Sequence, residues 1–317
     1  MIAVLGGGAF GTALAIVLAK DADVRLWARD PEAAGRMAAE RRNTRYLPNA
    51  PFPDRLTVHA DLHDVAPTDT LLLAVPSQAF AGVLAALGPC NGKALIACCK
   101  GIDRTTLEGP TAITLRQCPD AVPAILTGPS FAAEIAAGLP TALTLATAHA
   151  DGARLQQELS RPTLRLYLSD DPTGAELGGA LKNVIAIAAG ICIGAGYGES
   201  ARAAMIARGF TEMQRVATTL GARPETLTGL SGLGDLILTA MSEHSRNMRA
   251  GLALGRGDPL PDGLTVEGAA TSIALRQLCT ARSLSAPILT AVADIVDGTR
   301  DVASTVDALL SRPLKDE

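Results

Sequence analysis

The 317-residue sequence predicts an α/β protein, with a doubly wound sheet over residues 1–170 and an all-α region over residues 171–317. Three observations carry this. Unbroken apolar runs such as Thr70–Val75 (TLLLAV) and Ala94–Cys99 (ALIACC) suit strands buried on both faces. Strand signals stop at Asp170-Asp171-Pro172, and the remainder is rich in Ala, Leu, Gly and Arg. The stretch Ala175–Gly196 carries one lysine, Lys182, and then no charge for fourteen residues, which reads as a core helix.

Taken in order, Ile2–Leu5 is the first strand and Thr12–Lys20 a helix, with Gly6-Gly7-Gly8-Ala9-Phe10-Gly11 between them. Gly6, Gly8 and Gly11 match G-x-G-x-x-G in the strand–turn–helix setting that this motif needs to hold a dinucleotide pyrophosphate. The first region is therefore Rossmann-like. Asp23–Ala28 is the second strand. No acid ends it; Ala28 and Arg29 do, and Asp30-Pro31-Glu32 reads as a helix cap with proline at the first helical position. Arg29 suits a 2′-phosphate, so NADPH is favoured over NADH; the alternative is a solvated arginine near the adenine. Arg41–Pro48 is a basic, turn-rich segment that either rims the cofactor site or is a charged loop. The run 94–99 ends at Lys100, beyond a strand's carboxyl end, where a phosphate or carbonyl would lie. Ala124–Thr127 leads into Gly128-Pro129-Ser130-Phe131, another anion-friendly helix start, and Thr141–Ala146 and Leu164–Leu168 complete about eight strands.

In the second region, burial would lower the pKa of Lys182 and make it a proton donor or acceptor near neutral pH, unless it snorkels out from the first helical turn. Asp235 ends the glycine-rich turn 229–234; it is either an N-cap or a carboxylate held beside the lysine. A carboxylate there would raise the lysine pKa against burial. Ser245-Arg246-Asn247 offers a phosphate cradle, or a helix cap with a surface arginine. Gly263–Gly268 is a weaker cluster, in which Glu267 either starts a helix or reaches the nicotinamide amide.

Composition narrows the function. Hydrophobic content of 48% with 19% charge is globular, and a net charge of −4 argues against nucleic-acid binding. The chain opens MIAVLGGG, a strand and a turn without a basic leader. Six cysteines without a CxxC pair read as reduced, buried thiols, and four histidines show no metal-ligand spacing, so no metal is expected.

The segments GGGAFGTALA (6–15), AVPS (74–77), CKGID (99–103), TGPSFAAEIAAGLPTA (127–142), LGGALKNVIAIAAG (177–190), LSGLGDLILT (230–239), SRN (245–247) and VEG (266–268) together resemble bacterial NAD(P)-dependent glycerol-3-phosphate dehydrogenases, in that family's order and over nearly the whole chain. The resemblance implies Lys182 as general base or acid at the C2 oxygen of glycerol 3-phosphate or dihydroxyacetone phosphate. It implies Asp235, Ser245, Arg246 and Asn247, with Lys100, Gly128 and Ser130, as substrate-binding. Ala9, Phe10, Arg29, Tyr46, Lys100, Ala132, Arg246, Val266 and Glu267 fall at cofactor positions. A cytoplasmic homodimer feeding phospholipid synthesis, not inserted in a membrane, is implied as well. Ala9 and Phe10 depart from the family's Ser and Trp, and Ser130 stands where Thr is common. The rivals are a related reductase of a 3-hydroxy acid or ketopantoate, and a non-catalytic NADPH sensor.

Overall fold

The computed structural model describes residues 1–260 and 266–311; Gly263, Leu264 and Thr265 of the weaker cluster lie outside the described residues. The chain divides into two compact units. The first comprises Met1–Lys100 and Glu108–Glu176, the second Gly101–Leu107 and the chain from Leu177 on.

In the first unit the elements run β1 (Ile2–Leu5), α1 (Ala9–Leu18), β2 (Val24–Trp27), α2 (Pro31–Glu40), β3 (Leu56–His59), β4 (Thr70–Leu73), α3 (Ser77–Leu87), β5 (Ala94–Ala97), α4 (Pro110–Gln117), β6 (Val122–Thr127), α5 (Ala132–Ala136), β7 (Thr141–Ala146), α6 (Gly152–Leu159) and β8 (Leu164–Ser169). The strands form one sheet in the order β3-β2-β1-β4-β5-β6-β7-β8. Alternate residues of a strand enter different cores. Ile2, Val4, Leu72 and Ile96 join the one covered by α1, α2, α5 and α6. Ala3, Leu5, Leu71, Leu73 and Leu95 join the one covered by α3 and α4. Burial on both faces explains why these strands read as continuous apolar runs.

Two features of this sheet are not displayed by the sequence. β3 carries too few apolar residues to stand out; its half-exposed Leu-Thr-Val-His exists by pairing in parallel with β2 at the sheet edge. And β7 pairs with β6 antiparallel, from Ile125↔Ala146 to Thr127↔Thr144, so the sheet is not parallel throughout. The link between these two strands contains only the five-residue α5, and antiparallel neighbours need no full helical crossover.

Glu176, nearly buried, reaches the start of α4: its Oε1 accepts the Thr111 N–H at 2.5 Å, and a Cβ on Gly109 would lie 2.5 Å from its Oε2. Burial pushes this carboxyl up to about 7, against the Thr111 bonds, which pull it down.

In the second unit the elements are α7 (Pro172–Gly194, entering the unit at Leu177), α8 (Gly198–Thr219), α9 (Pro224–Thr228), a wide turn of helix at Leu230–Gly234, α10 (Asp235–Ala240), α11 (Arg246–Arg256), α12 (Glu267–Ala281), α13 (Pro287–Val296) and α14 (Val302–Leu310). α7 is the axis of its core: Leu181 and Val184 through Ile187 are fully buried. Its apolar window is long enough to cross a membrane, but 78% of it is buried within the protein. α7 and α11 touch backbone to backbone. A Cβ on Gly190 would stand 2.3 Å from Met248 O, and one on Gly251 2.1 Å from Ile187 O.

These contacts give two predictions. Gly251→Ala must push α11 off α7 and lowers stability by about 1–3 kcal/mol, whereas Gly82→Ala, exposed on α3 with nothing within 4 Å, raises it by about 0.5–1 kcal/mol; urea midpoints read both signs. For Glu176 the folded chain holds a proton that the unfolded chain releases above the ordinary 4.5, so stability falls as pH rises from there to about 7 and levels off beyond. Glu176→Gln removes this slope, and its stability relative to the unsubstituted chain improves by about 1–3 kcal/mol between pH 5 and 7.5.

Candidate active site

The glycine loop follows β1 where the strand order reverses, with β2 on one side and β4 on the other. Gly6 has φ 127°, which excludes other residues, and a Cβ there would strike Ala74 O at 2.4 Å. A Cβ on Gly11 would strike Gly6 O at 2.1 Å, so α1 can start only if that position is bare. Gly8 borders open space, and no side chain caps α1. Ala9, Phe10 and Gly11 are thus the first turn of an uncapped helix, whose N–H groups have no intrahelical acceptor. Such a cradle fits a dinucleotide pyrophosphate.

Around it, Asp30 caps α2 by accepting the Glu32 N–H at 3.0 Å, which leaves Arg29 as the exposed side chain at the end of β2. Tyr46 is exposed with the Arg45 guanidinium 5.2 Å above its ring, and Ala132 opens α5. Lys100, Gly128 and Ser130 are brought together: Lys100 Nζ donates to Gly128 O at 3.1 Å, as does Ser130 Oγ at 3.3 Å.

In the second unit Lys182 does not snorkel. α7 begins at Pro172 behind the Asp171 carboxylate, which accepts the Gly174 N–H at 2.8 Å. Lys182 is therefore in mid-helix, and its side chain is 5% exposed. Its Nζ donates to Asp235 Oδ1 at 2.8 Å and to Thr239 Oγ1 at 2.5 Å. Thr239 Oγ1 lies 3.2 Å from the same carboxylate oxygen. Asp235 is no N-cap: its side chain is 1% exposed and the helical turn already runs through it from Leu230. A lysine aimed by a carboxylate and a hydroxyl can give one proton as the ammonium, or take one as the amine.

Ser245, Arg246 and Asn247 form the start of α11, each in different surroundings. Ser245 caps α11, accepting the Met248 N–H at 3.2 Å, and Arg246 is exposed at the first helical position. Asn247 is buried; its Nδ2 donates to Asn183 Oδ1 at 2.8 Å and its Oδ1 accepts the Gly268 N–H at 3.0 Å. That second bond ties down the start of α12, where Val266 and Glu267 lie half-buried. Sequence reasoning missed Thr239, although it stands four residues after Asp235 and so on the same helix face. No group of three His, Cys, Asp or Glu side chains suited to a metal occurs among the described residues.

A glycine loop at the switch point of an α/β sheet and, in the other unit, a buried lysine with its carboxylate define a dinucleotide-dependent oxidoreductase. Residues 1–153 match the family description NAD-dependent glycerol-3-phosphate dehydrogenase N-terminus, and residues 171–307 match its C-terminus. The chain belongs to the NAD-dependent glycerol-3-phosphate dehydrogenase family. It is 55% identical over 318 residues to the NAD(P)+ glycerol-3-phosphate dehydrogenase of Paracoccus denitrificans, covering 100% of this chain and 99% of that protein. With the enzyme of the same name from Ruegeria it shares 53% over 318 residues, at 100% and 99% coverage. The crystal structure of glycerol-3-phosphate dehydrogenase from Coxiella burnetii superposes with a TM-score of 0.93 at 38% identity, over 98% of each chain.

The buried pair sets a prediction. Asp235→Ala strands the Lys182 charge in the core and costs about 3–5 kcal/mol in urea unfolding; adding Lys182→Met to that variant restores part of the loss. If the double variant is no more stable than Asp235→Ala, the ammonium is not what the carboxylate offsets.

Proposed function

We propose that this chain is an NAD(P)-dependent sn-glycerol-3-phosphate dehydrogenase, which interconverts dihydroxyacetone phosphate and sn-glycerol 3-phosphate and supplies the latter to phospholipid synthesis. The observation that carries the mechanism is the buried Lys182–Asp235–Thr239 contact. Bound NAD(P)H supplies the hydride. The C2 oxygen takes a proton from the Lys182 ammonium in the reduction, and Lys182 takes it back in the oxidation. Asp235 and Thr239 hold the lysine, and Asp235 also binds substrate. Lys100, Gly128 and Ser130 in the first unit, and Ser245, Arg246 and Asn247 in the second, bind substrate, with Arg246 on its phosphate. Gly6, Gly8, Ala9, Phe10, Gly11, Arg29, Tyr46, Lys100, Ala132, Arg246, Val266 and Glu267 serve the cofactor.

NADPH is the preferred cofactor on this reading, because the exposed Arg29 takes the place at the end of β2 where an acid would meet an unmodified ribose. Residues 1–170 act as the dinucleotide domain and 171–317 as the substrate domain. On this reading the enzyme works in the cytoplasm as a homodimer, as the family resemblance implies, and the burial of α7 supports its being a core helix rather than a membrane span.

The test is oxidation of NADPH, then NADH, by the purified chain with dihydroxyacetone phosphate, beside ketopantoate as control. Turnover with dihydroxyacetone phosphate alone is expected; turnover only with ketopantoate would sink the assignment. Lys182→Ala lowers kcat by about 10²–10⁴-fold and leaves cofactor Kd unchanged. Arg29→Ala weakens NADPH by about tenfold and leaves NADH where it was, which direct titration of both cofactors reads.

A further inference from the structure

Between α2 and β3 lies a segment without a glycine motif that nonetheless reaches the glycine loop. Asn43, in this segment, is 3% exposed. Its Nδ2 donates to the Gly7 carbonyl oxygen at 2.9 Å and to Thr12 Oγ1 at 2.8 Å. Thr12 is fully buried in the first turns of α1. The Asn43 carbonyl in turn accepts from Tyr46 N at 3.2 Å and Leu47 N at 2.8 Å, and Leu47 is anchored in the core beneath. Arg41 steadies the segment from its other end, with left-handed backbone and guanidinium bonds to Leu56 O at 2.8 Å and Pro53 O at 2.6 Å.

The consequence follows from peptide geometry. In a trans peptide the C=O of one residue and the N–H of the next point in opposite directions. Holding the Gly7 oxygen toward Asn43 therefore turns the Gly8 N–H away from it, at a residue that borders open space. The second bond fixes α1 through Thr12, one helical turn beyond Gly8, whose oxygen accepts the Thr12 N–H at 3.0 Å. An amide does this with one NH₂ for two acceptors, whereas a carboxylate at neutral pH donates to neither.

We propose that Asn43 is a positioning residue for the cofactor: it locks the Gly7 peptide plane and the start of α1, and so aims the N–H groups that receive the pyrophosphate. This rests on the dinucleotide reading of the glycine loop and extends it to a residue outside the motif. Because both cofactors share the pyrophosphate, the effect of Asn43 is equal for NADPH and NADH, unlike that of Arg29.

The experiment is titration of the full chain and its variants with NADPH and with NADH, beside steady-state kinetics and thermal melting. Asn43→Ala raises Kd for both cofactors by the same factor, about tenfold, with kcat at saturating cofactor retained within about twofold. Thr12→Val, which removes one of the two acceptors, gives a smaller rise, and Thr12→Ser restores the unsubstituted Kd; this pair decides the matter if Asn43→Ala does not fold. A lowered melting temperature with unchanged Kd, or a fall in kcat with unchanged Kd, overturns the proposal and leaves Asn43 purely structural. If the unsubstituted chain binds neither cofactor, the dinucleotide reading falls and this inference with it.

Discussion

An ammonium group buried among Ala, Ile and Val must be offset on the spot, and the second unit is arranged to do so. Water is displaced from Lys182, and a lone charge there would cost several kcal/mol. Asp235 and Thr239 supply the compensation from one face of α10. For α10 to start inside the core, the chain before it must fold into a wide helical turn, and a Cβ on Gly232 would collide with Leu227 O at 2.0 Å. The glycines around Asp235 are thus the means of delivering a carboxylate. The α7–α11 glycine contacts serve the same region, because they lay the start of α11 beside the residue that follows the lysine.

Both units use buried polar side chains as ties between segments far apart in the chain. Asn43 fastens the glycine loop, and Asn247 fastens α11 to α7 and to the start of α12. Glu176 meets the first turn of α4, and Glu212 on α8 accepts from Ile288 N and Leu289 N at the start of α13, at 2.9 and 3.2 Å. Glu176 and Glu212 act where proline at the first position leaves a helix start without a cap of its own, Asn247 at the uncapped start of α12, and Asn43 where a loop carbonyl would otherwise be buried unpaired. A helix start held in this way keeps its remaining N–H groups aimed, which is what an anion-binding unit requires.

The two units differ in how much of their chemistry the sequence displays. The glycine loop is local: three glycines, a strand before and a helix after occupy seventeen consecutive residues, Ile2 to Leu18. Asp30 as a cap of α2 is local as well, and so it was readable. β3 was not, because an edge strand of four mixed residues owes its existence to its neighbour. The direction of β7 was equally hidden, since an apolar run looks the same whichever way it points.

By itself the sequence determined the division into an α/β region and an all-α region, most of the strands, the glycine loop, and one lysine in a long apolar helix, because periodicity and turn chemistry act over a few residues. Only the tertiary structure decided what that lysine meets. Asp235 could have been a cap, and fifty-three residues separate it from Lys182. It also gave the adjacent Ser245, Arg246 and Asn247 different surroundings, a helix cap, an exposed cation and a buried tie, which their spacing alone does not distinguish. Asn43, thirty-six residues from Gly7, escaped notice for the same reason. A hydrogen bond between distant segments leaves no period in the sequence, and only the packing of the core brings its two ends together.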